Sequence, residues 1–414
     1  MTDDLMKSSG SGDAGNSTHA DEQRLYPKVR FRGFDEPWKN KKFLTFSSKI
    51  TKNSTSDDID FPRIEFENIV SGEGKLAQNR SKLNHIKSGI KFDKGDILFG
   101  KLRPYLKNWW LAEFPGVAVG DFWVIRAKDN RYFLYYLIQA PLFEKVSNYT
   151  TGTKMPRSDW NYVSNTFFKL PKIDEQEKIG RILDKVDSLL SLQHRKMELE
   201  NQTSKAIYNY LFDKNKPFYF KDNKTKKVFL KELGTTYSGL SGKNKTDFGH
   251  GKAKYITYLN VNKNTIANHN LLDLIEIDKK QNEVLNGDIL FTISSETPEE
   301  VGLASLWPYD DTNIYLNSFC FGFRPNSKIN NLWLAYELRS LKIRKNMYKL
   351  AQGISRYNLS KKSVLNLQVD VPSDAEQNFD SKFVKLINIQ TKFLSNERNE
   401  LLLLKKFLLQ NLFI

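Results

Sequence analysis

Apolar positions along this 414-residue chain follow two rhythms, and each rhythm occurs twice. Short alternating or continuous apolar runs, bounded by turn residues, predict strands near Lys42–Ser47, Arg63–Ile69, Asp96–Leu102 and Val117–Arg126. Helical spacing of Leu134, Leu137 and Ile138 then predicts a helix over Asn130–Val146. The same order returns downstream, with strands at Ala253–Val261, Asp288–Ser294 and Ser318–Arg324 and a helix over Asn331–Leu350. Strands followed by helices, used twice, predict an α+β unit in two tandem copies.

The second rhythm is longer. From Ile179 through Leu183, Val186, Leu190, Gln193, Met197, Glu200, Ser204 and Ile207 to Leu211, steps of four and three alternate, as one seam of a helix requires. A second helix carries Asp380, Val384, Ile387, Thr391, Leu394, Arg398, Leu401, Lys405, Leu408 and Leu412 at an offset of 201. Each opens on a Glu-Gln pair, Glu175-Gln176 and Glu376-Gln377, shortly after Leu170-Pro171 and Val371-Pro372. Asp174 with Glu177, and Ser373 with Glu376, have the spacing of N-terminal capping boxes. At 1.5 Å per residue each helix is a rod of about 57 Å. The economical arrangement folds the second back along the first as an antiparallel coiled coil with pseudo-two-fold symmetry. Gly95–Phe99 and Gly287–Phe291 both read Gly-Asp-Ile-Leu-Phe, and the register of 192 also aligns Ile64–Ile69 with Ile256–Val261. The expected organisation is a disordered tail (1–24), a first globular unit (25–171), a central helix (172–213), a basic linker (214–227), a second unit (228–372) and a distal helix (373–414).

Charge narrows the class of partner. Lys and Arg outnumber Asp and Glu by 64 to 48, a formal +16, and the halves divided at residue 212 carry +7 and +9. Two basic modules point to nucleic acid. The single cysteine, Cys320, rules out an intramolecular disulfide framework and suits a reducing cytoplasm. The five histidines show no metal-ligand spacing, and no apolar run approaches the roughly 18–20 residues of a spanning helix. The N-terminus has no apolar stretch resembling a secretory signal.

Catalytic signatures are missing: no P-loop, no glycine-rich dinucleotide fingerprint, no His-Glu-x-x-His and no paired-cysteine zinc pattern. Glu73-Gly74-Lys75 is read as a turn, and Trp109, Trp110, Trp123, Trp307 and Trp333 as core. What the sequence does offer suits phosphates and base edges. In the first unit these are Lys101, Arg103 and Lys107 around Tyr105, with Lys154 and Arg157 in the loop Thr150–Arg157. The second unit offers Ser241, Lys243 and Lys245, then Ser295 and Thr297, then Arg356 in the matching loop Gln352–Asn358, and Lys361.

Tyr26–Phe34 with Trp38, the two Gly-Asp-Ile-Leu-Phe strands, the Glu-Gln helix starts and the Leu-Phe helix endings together resemble a DNA-specificity subunit of a type I restriction–modification system. The resemblance spans about Leu25 to Phe413. It departs after Glu376-Gln377, where Asn378-Phe379-Asp380 follows and the Lys178-Ile179-Gly180 of the first copy has no counterpart. The resemblance implies two target recognition domains, each reading one half of a split double-stranded DNA target. It also implies spacer helices packed through Ile179, Leu183, Val186, Leu190, Ile207, Leu211, Val384, Ile387, Leu394, Leu401, Leu408 and Leu412. It implies no catalytic residues in this chain. S-adenosylmethionine, ATP and magnesium would sit on two methylation and two restriction subunits, with no membrane partner. A self-contained nuclease or methyltransferase, and a duplicated protein-binding adaptor, are the alternatives.

Overall fold

The computed structural model describes residues 5–7, 25–54, 60–77, 87–149, 155–212, 225–326 and 329–414. The chain forms two compact units, Met1–Arg195 with Ser395–Ile414, and Lys196–Leu394. Most of the expected tail and linker lies outside the described residues. Leu5–Lys7 pairs antiparallel with Val29–Phe31, and Lys226–Phe229 pairs with Gln368–Val371.

At the centre of the first unit is an antiparallel sheet ordered Trp109–Leu111, Ile97–Gly100, Phe122–Ala127 and Ser47–Ile50. Side chains alternate across a strand, so a two-sided core needs apolar residues at every position. That is why Ile97–Gly100 reads as a continuous apolar run. Leu98 and Val124 face Phe92 and Trp110, while Ile97, Phe99, Trp123 and Ile125 face the helices. A second sheet, ordered Arg63–Ile64, Gly116–Ala118 and Ile90–Phe92, flanks the first.

The second unit is built to the same design. Its sheet runs Gly234–Ser238, Cys320–Pro325, Ile289–Thr292 and Ala304–Leu306, with a flanking sheet of Leu272–Ile275, Phe248–Ile256 and Ile314–Leu316. The repeated Gly-Asp has a structural explanation in both. Gly95 and Gly287 turn the chain at φ of +95° and +90°. The buried Asp96 then accepts a two-pronged bond from Arg126 (2.6 and 2.7 Å), as Asp288 does from Arg324 (2.9 and 2.7 Å).

Several expected elements differ. The strand expected at Lys42–Ser47 is a one-turn helix, Phe43–Phe46, because Phe43 and Phe46, three apart, both go inward. Strand Arg63–Ile64 gives way to a 3-10 turn at Phe66–Asn68 before pairing resumes at Ile69–Val70. The strand expected over Ala253–Val261 stops at Ile256, where Thr257 caps a helix, Tyr258–Lys263. Both expected helices are broken in two. Arg131–Gln139 and Pro141–Ser147 are divided by Pro141, and Asn331–Glu337 and Leu341–Leu350 by the Ser340 cap.

The long helices are Ile173–Phe212 and Asp374–Asn411. Asp174 lies inside the first, not at its cap, since Glu175 N and Gln176 N donate to Lys172 O. Ser373 does cap the second, its hydroxyl accepting from Glu376 N. The Glu-Gln pairs fasten each helix to its own unit. Buried Glu175 receives the Arg30 fork, while Gln176 and Gln377 donate to Pro171 O and Pro372 O.

Within the first unit, the start of one long helix and the end of the other run antiparallel. Lys405 pairs with Asp187 at 2.7 Å and Gln193 donates to Glu397 at 2.9 Å. Ile179, Leu183, Val186, Leu190, Leu408 and Leu412 are buried there, with Leu401 packed against them. Within the second unit, Leu211, Val384 and Leu394 are buried, with Ile207 packed on the core and Ile387 half-buried. No helix among the described residues is long and apolar enough to cross a membrane.

Candidate nucleic-acid interface

The two basic loops of the first unit meet through backbone pairing. Leu102 bridges Arg157, Arg103 N donates to Pro156 O, and Ser158 N donates to Lys101 O. Beside this ladder, Arg103 and Lys107 hold left-handed backbones (φ +48° and +57°) on either side of the turn Pro104–Leu106. Such conformations are uncommon for residues with a Cβ and persist where surrounding bonds enforce them.

One carboxylate serves two of these cations. Asp121 accepts from Arg157 (3.0 Å) and lies 3.5 Å from Lys101. The hydrogen bond from Arg157, reinforced by its charge and that of Lys101, holds the Asp121 carboxyl below its ordinary range and raises the Arg157 guanidinium. Arg103 is exposed, and no acidic side chain among the described residues pairs with it. Lys101, Arg103 and Arg157 therefore keep a net positive face. Lys107 does not join them. Its ammonium pairs with Glu144 at 2.9 Å and lines a cleft of about 350 Å³ with Trp109, Asp187 and Lys405. Lys154 lies outside the described residues.

The corresponding ladder in the second unit pairs Ser294–Ser295 with Tyr357–Asn358, and Leu359 N donates to Ile293 O. Lys361, at the start of a short helix, donates to Ser238 Oγ at 2.5 Å and draws in the loop that carries Ser241. Arg356 is exposed and rests on the ring of Phe319, 5.4 Å from its centroid. Lys243 is committed to the fold, at 2.7 Å from Asp278. That bond, with those from Lys280 N and Gln281, lowers the Asp278 carboxyl to about 2. Ser295 is buried, and its hydroxyl accepts from Thr297 N and faces Glu300, bracing the loop from within. Thr297 and Lys245 are exposed.

Two features escape sequence reasoning. Tyr149 and Tyr162 stack at 4.1 Å with both rings substantially exposed, beside the basic loop of the first unit; no local pattern announces that pair. The long helices also leave apolar side chains in water. Leu189, Leu192, Leu403 and Phe407 do so in the first unit, and Phe379, Phe383, Leu386 and Phe393 in the second. A signal for these existed, because apolar residues off the seam make a helix apolar on more than one face. The five tryptophans assigned to the core are all buried.

Known proteins share this design. The sequence profile of the type I restriction modification DNA specificity domain matches residues 38–201 and again 222–403. The type I restriction enzyme MjaVIII specificity subunit of Methanocaldococcus jannaschii is 25% identical over 294 residues, covering 67% of this chain and 68% of its own. The putative MjaX specificity subunit of the same organism is 20% identical over 387 residues, covering 86% and 87%. Among solved structures, the S subunit of the type I restriction–modification system from M. genitalium aligns with a TM-score of 0.59 at 16% identity, covering 94% of this chain and 99% of that one. A chain from a structural study of complex assembly and conformational transition in the type I R-M system aligns at 0.55 and 17%, covering 91% and 97%. The profile covers most of the sequence in two successive blocks, and the chain belongs to the type I restriction–modification DNA specificity family, with two of that family's domains in tandem.

Proposed function

We propose that this chain is the non-catalytic DNA-recognition subunit of a type I restriction–modification complex, reading a split double-stranded target with one half-site per unit. The observation that carries the reading is the double match to the specificity domain. The shared backbone ladder, with Arg103 and Arg157 on it in the first unit and Arg356 next to it in the second, supports it. Cations fix a protein on the phosphates, whereas sequence is read from base edges. All four base pairs are distinguishable only in the major groove, which is where each unit would enter.

Lys101, Arg103 and Arg157 are the DNA-facing cations of the first unit, and Arg356, Lys361 and Lys245 those of the second. The exposed apolar stripes on the long helices are the docking faces for two methylation and two restriction subunits. An apolar patch rimmed by polar residues marks such an interface. S-adenosylmethionine, ATP and magnesium belong to those partners, and the complex works in the cytoplasm.

The test is selection of bound DNA from a random library by the chain assembled with its methylation subunits. Two fixed blocks separated by a gap of constant length are expected. Replacing residues 228–371 with the second unit of a relative should change one block and leave the other. A single continuous block, or a swap that changes both, would defeat the reading.

A further inference from the structure

At the tip of the second unit's hairpin stands an isoleucine almost wholly in water. Ile354 is 97% exposed, and no other large apolar side chain among the described residues exceeds the 65% of Leu403. The hairpin that carries it is firmly built. Gln352 N donates to Asn358 O (2.9 Å) and Asn358 N returns the bond to Gln352 O (2.8 Å). Tyr357 and Asn358 also pair with Ser295 and Ser294, which joins the hairpin to the body of the unit. Gly353 has φ of +133°, and a Cβ there would lie 2.0 Å from Arg356 O, so only glycine closes this turn. A residue on such a frame is presented at a fixed place on the surface of the unit.

We propose that Ile354 reads a thymine, by contact of its side chain with the C5 methyl group in the major groove. This inference rests on the DNA-recognition reading above and names one of its specificity-determining residues. Two cations flank Ile354, Arg356 on Phe319 within the same turn and Lys361 on Ser238 just after the hairpin; they suit phosphates and leave the isoleucine for the bases. The thymine methyl is the apolar group that base edges present in the major groove. An isoleucine kept in water in the free protein recovers its burial free energy on meeting that methyl. In sequence, Gln352-Gly353-Ile354 aligns with Thr151-Gly152-Thr153 of the first unit at an offset of 201. The same glycine is thus followed by a different residue, as two readers of different half-sites require.

The experiment uses the chain assembled with its methylation subunits and the bipartite target that this complex selects. Each thymine of the target is replaced in turn by deoxyuridine, which removes only the methyl group, and affinity is measured by competition. One replacement, in the half-site of the second unit, should weaken binding about fourfold, the worth of one buried methyl group. Ile354→Ala should bind the thymine duplex about fourfold more weakly and show no further loss with deoxyuridine at that position. Penalties in the other half-site should be the same for both proteins. The proposal is overturned if no replacement in that half-site weakens the parent complex, if Ile354→Ala keeps the full penalty, or if the half-site contains no T·A pair. Equally, loss of methylation subunits from Ile354→Ala with an unchanged deoxyuridine penalty would assign Ile354 to a protein interface. Failure to select any bipartite target would instead refute the broader DNA-recognition reading.

Discussion

Arg30→Met should destabilise the first unit far more than its position near one end of the chain suggests. Arg30 and Glu175 are 6% and 1% exposed, and the guanidinium grips the carboxylate with bonds of 2.8 and 2.9 Å. A further bond, Nη2 to Glu36 O at 2.7 Å, leaves the guanidinium well satisfied. The methionine fills much of the same volume but leaves a carboxylate buried without its cation. Removing one partner of a buried pair costs about 3–5 kcal/mol, because the survivor stays desolvated and uncompensated. For a unit of this size each kcal/mol lowers the melting temperature by about 2–4 °C, so a fall of roughly 10 °C is expected. The second unit serves as internal control, since the pair lies wholly in the first. Calorimetry should show one transition moving and the other fixed, with faster hydrogen exchange in peptides covering Val29–Phe31 and the start of the first long helix. Arg30→Met with Glu175→Leu should recover most of the loss, because two apolar residues leave no orphaned charge. Single variants within about 0.5 kcal/mol of the parent, the scatter of neutral surface changes, would refute the reasoning.

Three further outcomes follow from the same structure. Arg103→Ala should flatten the log–log salt dependence of DNA binding by about 0.9, whereas Lys107→Ala, already spent on Glu144, should leave it unchanged; filter binding between about 50 and 200 mM salt reads both. Phe383→Ser with Leu386→Ser should leave thermal unfolding nearly unaltered, since both side chains already face water, while reducing co-purification of the methylation subunits; full retention of those subunits would exclude that face. The Asp278 carboxyl should titrate by NMR near about 2, and Lys243→Met should move it up towards the ordinary carboxylate value. Because the folded value is depressed, the stabilisation this pair gives is present above the ordinary carboxylate range and fades as the pH falls towards 2.

How much of this was legible beforehand depended on the range of the interactions. The long helices and the duplicated sheet strands were readable because local periodicity and repetition record them, as the buried seam from Ile179 to Leu190 shows. Phe43–Phe46 and Tyr258–Lys263 were misread where a one-turn helix offers too few residues to establish a period. The Thr257 cap was the overlooked signal at the second. At the candidate interface, residue types were legible and their commitments were not. Lys243 and Lys107 look as free as Arg103 in sequence, but Asp278 and Glu144, 35 and 37 residues further on, take up their charge. Only folding brings such partners together.

The composition of the units also fixes the order in which they can be finished on the ribosome. All residues of the second unit, Lys196–Leu394, form one uninterrupted stretch, whereas the first needs Ser395–Ile414 to close around Met1–Arg195. Leu408, Leu412 and Phe413 fill its core, with Phe413 against Phe133 at 5.4 Å. The unit whose synthesis begins first must therefore wait, with an apolar seam uncovered, until more than two hundred later residues have emerged. Domains that mature in order of synthesis avoid that delay, and exposed apolar surface during it invites aggregation. A nascent chain stalled or truncated shortly before Leu408 would release a sound second unit joined to an unclosed first one. Damage to the turns around Leu408–Phe413 would thus be felt in the unit that was made earlier.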